Sequence, residues 1–325
     1  MKRLISSFLL ALSALAIVAA PVALATDGEA PQINFRVSPV GERIRLDAGE
    51  QIEKVLNITN QSDVDSRIRL YAAPYTVEGQ NYDSNFSTET PRTQIHRWIE
   101  FDQTDVTVVE EEGQPTKYEY PVAAQKTFTA NYTITVPEDV ADGGQYAIIF
   151  VESVSDAESS SDTTSIKTNY RIGVPILANI GGATRDGAEI IDLKLPVFFI
   201  GSNNRLITGS TVVRNTGNTD FPMVQTLEVK TIFGREVYKD SRSADVFPDT
   251  ERAEKLAWEE TPFIGIFWAT YTVNALEQTS TSSHIVIVLP IFIVILIILL
   301  LTISIIWLIL ILGKRRERAK KVKMS

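Results

Sequence analysis

The feature that most constrains this chain is an uninterrupted apolar run near its C-terminus. No charged residue occurs from Ile285 to Leu312, a stretch of 28 residues. As an α-helix such a run extends about 42 Å, which exceeds the ~30 Å hydrocarbon core of a bilayer. The alternative is a buried core helix of this length without a polar face, which is typical only of the core of a large protein. We therefore predict a transmembrane helix over residues 285–312.

A basic segment follows the apolar run directly. It contains seven Lys or Arg side chains and one acidic side chain, and its first basic residues are Lys314, Arg315, Arg316 and Arg318. Basic residues beside a span are retained in the cytoplasm. Residues 313–325 are therefore predicted to form a cytoplasmic tail that sets a single-pass type I topology. A site for anionic lipid is the alternative role of this tail.

The N-terminus has the layout of a secretory signal. Lys2 and Arg3 precede an apolar stretch that ends with small residues at Ala23 and Ala25. This order is typical of signal peptides, so residues 1–25 are predicted to be a cleaved signal peptide. An uncleaved membrane anchor is the alternative, and in both cases the following residues are exported.

The segment between the two apolar regions is acidic, and the whole chain lacks cysteine. Outside the signal and the tail there are 39 acidic and 22 basic side chains, a net charge of −17. This balance excludes a general nucleic-acid binder, which needs a basic face. The absence of cysteine excludes disulfides and thiolate chemistry, so the exported domains depend on their hydrophobic cores.

The exported part is predicted to be all-β. Apolar and polar residues alternate at 33–37 and 131–136, and Tyr146–Val151 is a continuous apolar run. Many short strands separated by turns indicate two immunoglobulin-like β-sandwiches. The predicted organisation is an N-terminal sandwich (26–180), a glycine-rich linker (181–188), a second sandwich (189–275) and a stalk (276–284), followed by the span and the tail.

Two segments resemble each other and predict that the sandwiches are related. One strand follows Gly49 and ends at the turn Asn57–Asn60; another follows Gly209 and ends at the turn Asn215–Asn218. In both segments a second strand comes after the turn.

No group of residues indicates catalysis, so the chain is predicted to be non-enzymatic. His96 is not accompanied by nucleophile-elbow glycines, and His284 lies beside the predicted span. Asp139 and Asp142 precede Gly143–Gly144 without a known calcium-ligand spacing. We predict no catalytic residue, no metal and no cofactor.

One long segment, residues 74–94, has no periodic pattern, and long loops often have functional roles. It contains Tyr75, Tyr82 and Phe86. We predict these three side chains as ligand contacts, because flat apolar rings can stack on sugar rings. The alternative is that they fold back over the edge of the sandwich.

Several framework segments occur in the order found in a known family. They are Phe35–Pro39, Trp98–Phe101, Tyr132–Pro137, Gly144–Tyr146 and Arg171–Ile176. Over residues 33–180 the chain resembles the peptidoglycan-binding domain of bacterial surface proteins associated with WxL proteins. The resemblance implies β-sandwich domains, one C-terminal span with a basic tail and a binding role in the cell envelope. No ligand residue is carried over, because the resemblance lies in framework positions.

These observations predict a membrane-anchored cell-surface protein that acts as an adhesion or envelope scaffold. Its predicted partner is a cell-wall polymer or a surface protein. It is not predicted to bind nucleic acid. The alternative function is a chaperone-like accessory to the assembly or export of surface proteins, which holds other chains by strand addition at an open sheet edge. The charge of −17 disfavours simple electrostatic attachment to anionic wall polymers.

Overall fold

The computed structural model describes residues 34–154, 170–196, 198–201 and 207–323. The predicted signal peptide, residues 1–25, lies outside this range. The described chain forms two β-sandwiches followed by one long helix, which confirms the predicted all-β fold with a single C-terminal helix.

The first domain consists of two sheets packed face to face. Its described strands are β1 (Phe35–Ser38), β2 (Glu42–Leu46), β3 (Gln51–Asn60), β4 (Ser66–Pro74), β5 (Thr76–Glu78), β6 (Asp83–Asn85), β7 (Ile99–Phe101), β8 (Thr107–Val109), β9 (Lys117–Val122), β10 (Thr127–Thr135), β11 (Gly143–Val154) and β12 (Arg171–Ile180). One sheet has the order β1-β3-β10-β7 and the other β2-β12-β11-β4-β9-β8. Strands β5 and β6 form a separate hairpin.

The core of the first domain lies between the two sheets, because most strands alternate inward apolar and outward polar residues. In β10, for example, Ala130, Tyr132 and Ile134 are buried while Asn131 and Thr135 are exposed. Strand β11 differs, since it is buried on both faces over most of its length. Its continuous apolar run therefore fits its central position in the six-stranded sheet.

The second domain begins after residues 181–187, which connect it to the first in the region of the predicted linker. Its described strands are β13 (Ala188–Lys194), β14 (Phe198–Gly201), β15 (Ile207–Asn215), β16 (Phe221–Thr231), β17 (Glu236–Val246), β18 (Glu251–Trp258), β19 (Gly265–Ala275) and β20 (Gln278–Pro290). Sheets of order β13-β15-β18 and β14-β20-β19-β16-β17 enclose its core. At the centre, the hydroxyl of Tyr271 donates to the side-chain oxygen of Gln225 at 2.7 Å.

The structure differs from the sequence prediction between residues 276 and 290. Most of the predicted stalk (276–284) and the first six residues of the predicted span (285–312) lie in β20, which pairs with β19. Val286 and Val288 are fully buried in the second core. The charge-free run therefore combines the last half of a strand with a helix, and the second sandwich ends at Pro290 rather than at residue 275.

The C-terminal helix, α1 (Ile291–Lys323), starts immediately after this strand. Within the described part of the chain, Ile291–Gly313 is the one helical segment long and apolar enough to cross a membrane. Its 23 residues extend about 34 Å, sufficient for a bilayer core of about 30 Å. Thr302 and Ser304 donate their hydroxyls to backbone carbonyls one turn earlier, so neither would leave an unpaired donor if the helix spans a bilayer.

The two turns that resemble each other in sequence also have the same pattern of hydrogen bonds, each within its own domain. Asn60, at the end of β3, is buried and donates to the carbonyls of Val64 and Val122 at 2.8 and 3.2 Å. Asn215, at the end of β15, is buried in the same way. It donates to the carbonyls of Thr219 and Val246, both at 2.8 Å.

Candidate functional site

The long segment 74–94 links the two domains. Its β5–β6 hairpin extends from the first sandwich to the second. There the Gln80 carbonyl accepts a hydrogen bond from the Ala253 amide at 2.8 Å, and the Gln80 side chain donates to Glu251 at 2.8 Å. The segment without periodicity in the sequence is therefore a structured contact between domains.

The structure places two of the three predicted aromatic residues, Tyr75 and Tyr82, against Phe247 of the second domain, and Phe86 against Tyr75 and Phe150. Tyr75 stacks on Phe86, with ring centroids 5.8 Å apart, and meets Phe247 edge-on at 5.5 Å. Tyr82 meets Phe247 at 6.0 Å. All three predicted residues are partly buried. The rings therefore fold back over the sandwich, as the alternative interpretation of the sequence has it, and they also reach the second domain. The role of these rings as ligand contacts stays a prediction.

The hydroxyl of Tyr82 is fixed by the second domain. It accepts a hydrogen bond from the Phe247 amide at 2.8 Å and also pairs with the Thr250 hydroxyl. The Arg252 guanidinium lies 4.4 Å from the centre of the Tyr82 ring. Burial raises the pKa of the Tyr82 hydroxyl, although these polar neighbours oppose the shift.

A second aromatic contact, which the sequence interpretation missed, crosses the domain boundary. Tyr146 of β11 stacks on Phe247 with ring centroids 4.5 Å apart and an interplanar angle of 8°. The Tyr146 hydroxyl donates to the Asp220 carboxylate at 3.1 Å and accepts from the Asp220 amide at 3.1 Å. Burial, together with the charge of Asp220, raises the pKa of the Tyr146 hydroxyl above its usual range.

The glycine pair before Tyr146 permits this close approach. The Gly144 amide donates to the Asn218 carbonyl at 2.8 Å. A Cβ at Gly144 would lie 1.9 Å from the Tyr146 hydroxyl oxygen, and one at Gly143 would lie 2.6 Å from the Asn218 carbonyl oxygen. Gly143–Gly144 thus forms a backbone contact with the second domain, which is the structural reason for two consecutive glycines here.

Ion pairs surround the aromatic contact. Arg43 of β2 contacts Asp220 and also Asp245, the latter at 3.0 Å. Burial alone lowers the pKa of Arg43, but the charges and hydrogen bonds of the two aspartates outweigh it and raise the pKa. Arg92 forms a second pair, with Asp249 at 2.8 Å, and donates to the Asn218 carbonyl at 3.0 Å.

A cleft of about 580 Å³ lies beside these contacts, with walls from both domains. Gln145 lines it, and its amide nitrogen donates to the Pro91 carbonyl at 2.8 Å. The side-chain oxygen of Gln145 is buried without a hydrogen-bond partner among the described residues.

His96 does not line this cleft, and its Nδ1 pairs with the Thr93 carbonyl. Across residues 34–154, 170–196, 198–201 and 207–323, no group of three or more His, Asp or Glu side chains is placed to hold a metal ion.

An open sheet edge forms a second candidate site. Strand β12 pairs with β11 along its whole length, but β2 pairs only with Ile176–Ile180. Residues Arg171–Pro175 therefore have no strand on that side within the described parts of the chain. Among the other edges, β7 and β8 have three residues each, and the long β17 contains Lys239, Asp240 and Arg242, features that disfavour pairing with another chain. Within the described residues, Gln51–Leu56 of β3 also have no strand on the β1 side, and this half-strand contains Glu53 and Lys54.

The comparisons with known proteins concern the fold alone. No family model matches the chain, and no curated protein matches it, so the WxL-associated resemblance stays a prediction. Similar solved structures include the class 5 fimbriae chaperone CfaA, at 12% identity and a TM-score of 0.37, covering 77% of this chain and 99% of that chain. The Escherichia coli chaperone DraB has 11% identity and a TM-score of 0.34, with coverage of 78% and 97%.

A third similar chain is in the CsuC–CsuE chaperone–tip adhesion subunit pre-assembly complex from archaic chaperone-usher Csu pili of Acinetobacter baumannii. It has 10% identity and a TM-score of 0.36, and the match covers 79% of this chain and 99% of that chain. Likeness at this level does not extend to individual site residues.

Proposed function

We propose that this chain is a non-enzymatic, membrane-anchored envelope protein that holds an extended segment of another exported protein by strand addition. The apolar helix α1 supports membrane anchoring. The predicted signal peptide and the basic tail support an outward-facing position for both sandwiches. This proposal follows the chaperone-like alternative rather than attachment to the wall.

The observation that carries the proposal is the first half of β12, Arg171–Pro175, which pairs with β11 on one side and with no strand of the described chain on the other. A strand edge presents backbone N–H and C=O groups that a second chain can pair with. Pro175 has no N–H to donate, which is acceptable at an edge and unfavourable inside a ladder. An added strand would extend the sheet along the line that β2 leaves open.

The side chains of this half-strand are suited to an apolar partner. Val174 is buried in the first core, and Ile172 packs against that core from a partly exposed position. Alternate apolar residues of an added strand would lie beside these two side chains and extend the core. On the other face, the Arg171 guanidinium covers the ring of Phe150 at 4.3 Å, so this face is already closed.

The domain junction holds the edge in a fixed position. Strand β2 covers the other half of β12 and also contains Arg43, which pairs with two aspartates of the second domain. The second domain continues directly into α1. A segment held at β12 would therefore be held at a defined position relative to the membrane.

The experiment places a photo-crosslinking amino acid at Arg171 in the full-length protein in native membranes. The matched control places it at Ser243, an exposed residue on the edge strand β17. We expect a crosslinked protein at residue 171 and none at residue 243. We also expect the amides of residues 172–174 to exchange more slowly in the purified complex than in the protein stripped of its partner.

Two results would overturn the proposal. One is equal crosslinking at both positions, with unchanged amide exchange at 172–174. The other is retention of the full-length protein on purified cell wall at physiological ionic strength without any crosslink at residue 171. The second result would support the wall-binding function that the family resemblance implies.

A further inference from the structure

The end of the second domain from which α1 begins exposes apolar side chains. In the turn between β16 and β17, Ile232 is 57% exposed and Phe233 is 91% exposed. In the loop between β18 and β19, Phe263 is 48% exposed and Ile264 is 53% exposed. Apolar side chains exposed together at one end of a domain are typical of a surface that binds a partner or a membrane. We call these two segments, the β16–β17 turn and the β18–β19 loop, the apolar tips.

Strand register places both tips next to the start of the helix. Thr231, the last residue of β16, pairs with Phe267, and Gly265 pairs with Val288, two residues before the end of β20. The Phe263 ring also contacts Phe292 in the first turn of α1, with centroids 5.6 Å apart. Both tips therefore lie at the level where the strand becomes the membrane-spanning helix.

The length of the span sets the depth of these residues. The 23-residue segment extends about 34 Å, only about 4 Å more than a typical hydrocarbon core. Its first turn, which includes Phe292, therefore lies at or close to the hydrocarbon boundary. Above that boundary, the headgroup layer is about 5–7 Å thick on each side, and apolar faces that include Phe and Leu insert at this depth. Phe263 falls within this layer through its contact with Phe292.

We propose that the tip formed by Ile232, Phe233, Phe263 and Ile264 is a lipid-binding surface that inserts into the headgroup layer of the leaflet it faces. A bilayer is the occupant because the tip is continuous with the apolar surface of the span. This inference rests on the span and not on the edge of β12, so the two proposals can fail separately.

The charges beside the tip specify the kind of lipid. Glu259 and Glu260 are exposed and begin the β18–β19 loop, whereas Arg235 is exposed in the other turn. The two carboxylates oppose both deep insertion and binding to an anionic surface. Shallow insertion into zwitterionic lipid such as phosphatidylcholine fits this arrangement.

The test uses the absence of cysteine from the chain. Phe233→Cys in the full-length protein is labelled with a nitroxide and placed in phosphatidylcholine vesicles. The matched control is Glu277→Cys, in the exposed turn between β19 and β20 at the opposite end of the same domain. Collisions of the label with oxygen, which concentrates in lipid, are compared with collisions with a water-soluble nickel chelate.

We expect the label at residue 233 to collide several-fold more with oxygen, relative to the nickel chelate, than the label at residue 277. Replacing half of the phosphatidylcholine with phosphatidylglycerol should reduce this difference. The proposal is overturned if both labels have the accessibility of a water-exposed site. It is equally overturned if the label at residue 233 is shielded from both reagents and broadened by a neighbouring label, because a second copy of the chain would then cover the tip.

Discussion

Tyr146 of the first domain and Phe247 of the second lie almost parallel, with ring centroids 4.5 Å apart and 8° between their planes. Tyr146 is 2% exposed and Phe247 is 7% exposed, so the pair is as buried as a domain core. Aromatic pairs contribute about 0.5–1.5 kcal/mol beyond the area that they bury. The two sandwiches are therefore joined by core-like packing as well as by the connecting chain.

The first prediction concerns Phe247→Ala, which removes this stack and the contacts with Tyr75 and Tyr82. Replacing a buried Phe by Ala usually lowers the free energy of unfolding by about 3–5 kcal/mol. We expect a loss in this range and a broader distribution of distances between the domains. The distances are measured by pulsed electron spin resonance between nitroxides at Glu112→Cys and Glu277→Cys.

The control for this prediction is Val40→Ala, also a large-to-small apolar substitution, at a side chain that is 84% exposed. It should leave both the stability and the distance distribution unchanged. A narrow distribution in Phe247→Ala would show that the ion pairs and the β5–β6 hairpin are sufficient to hold the domains.

The second prediction concerns Arg43. The side chain of its partner Asp220 is only 5% exposed, so Arg43→Ala leaves a nearly buried carboxylate without its cation. Hydrogen bonds to charged groups contribute about 1.5–3 kcal/mol, and we expect the unfolding free energy to fall by that amount. Urea denaturation measures the loss. Arg45→Ala, an exposed residue on the same strand, is the control, and an equal loss in both variants would contradict the prediction.

The third prediction is a loss of stability at alkaline pH. Burial and the Asp220 charge raise the pKa of Tyr146 above the ordinary tyrosine value of 10.0, so the folded state holds the proton more tightly than the unfolded state. The resulting stabilisation is complete below pH 10 and declines as the pH rises from there towards the folded-state pKa, by up to about 1.4 kcal/mol per pH unit.

The variant Tyr146→Phe keeps the ring and removes the titrating hydroxyl. Its unfolding free energy should therefore decline less steeply than that of the wild type between pH 10 and pH 11.5, measured from urea midpoints at each pH. Tyr132 and Tyr271 have pKa values raised by burial in the same direction, so a residual decline remains in the variant. Identical slopes would show that Tyr146 does not contribute to the alkaline transition.

The sequence predicts the strands well, because alternation and turn residues are local signals. It does not predict the site, since Tyr146, Asp220 and Phe247 lie far apart in the chain and meet only when two domains dock. Two consecutive glycines at 143–144 are compatible with a turn, a calcium loop or a close backbone approach, and the sequence does not choose among these. The partner of this pair, the Asn218 carbonyl, belongs to the other domain and has no distinguishing feature in the sequence.

The boundary between β20 and the C-terminal helix is a second feature that the sequence does not predict. Ile285 to Pro290 contains no charge, and hydropathy alone cannot distinguish an apolar strand from the first turns of a helix. The burial of Val286 and Val288 in the second core decides between them. A proline at residue 290 is the only local sign of the change, and it lies at the boundary between β20 and α1.

The last prediction uses the two equivalent turns. Asn60→Ala removes the side-chain donor to the Val122 carbonyl, one of two donors to the part-buried Val64 carbonyl, and the acceptor of the Ser62 amide. Each unsatisfied buried group costs about 1–3 kcal/mol, so we expect amide exchange throughout β3 to accelerate by at least an order of magnitude.

Asn215→Ala should have the same effect on β15 in the second domain, because this side chain bonds to two carbonyls and accepts from the Gly217 amide. The control is Asn57→Ala, whose side chain accepts a hydrogen bond from the Thr129 hydroxyl on an exposed face. That change should cost no more than about 0.5 kcal/mol. Equal acceleration of amide exchange in Asn57→Ala and Asn60→Ala would contradict the prediction. It would show that the buried hydrogen bonds of Asn60 stabilise β3 no more than the exposed bond of Asn57 does.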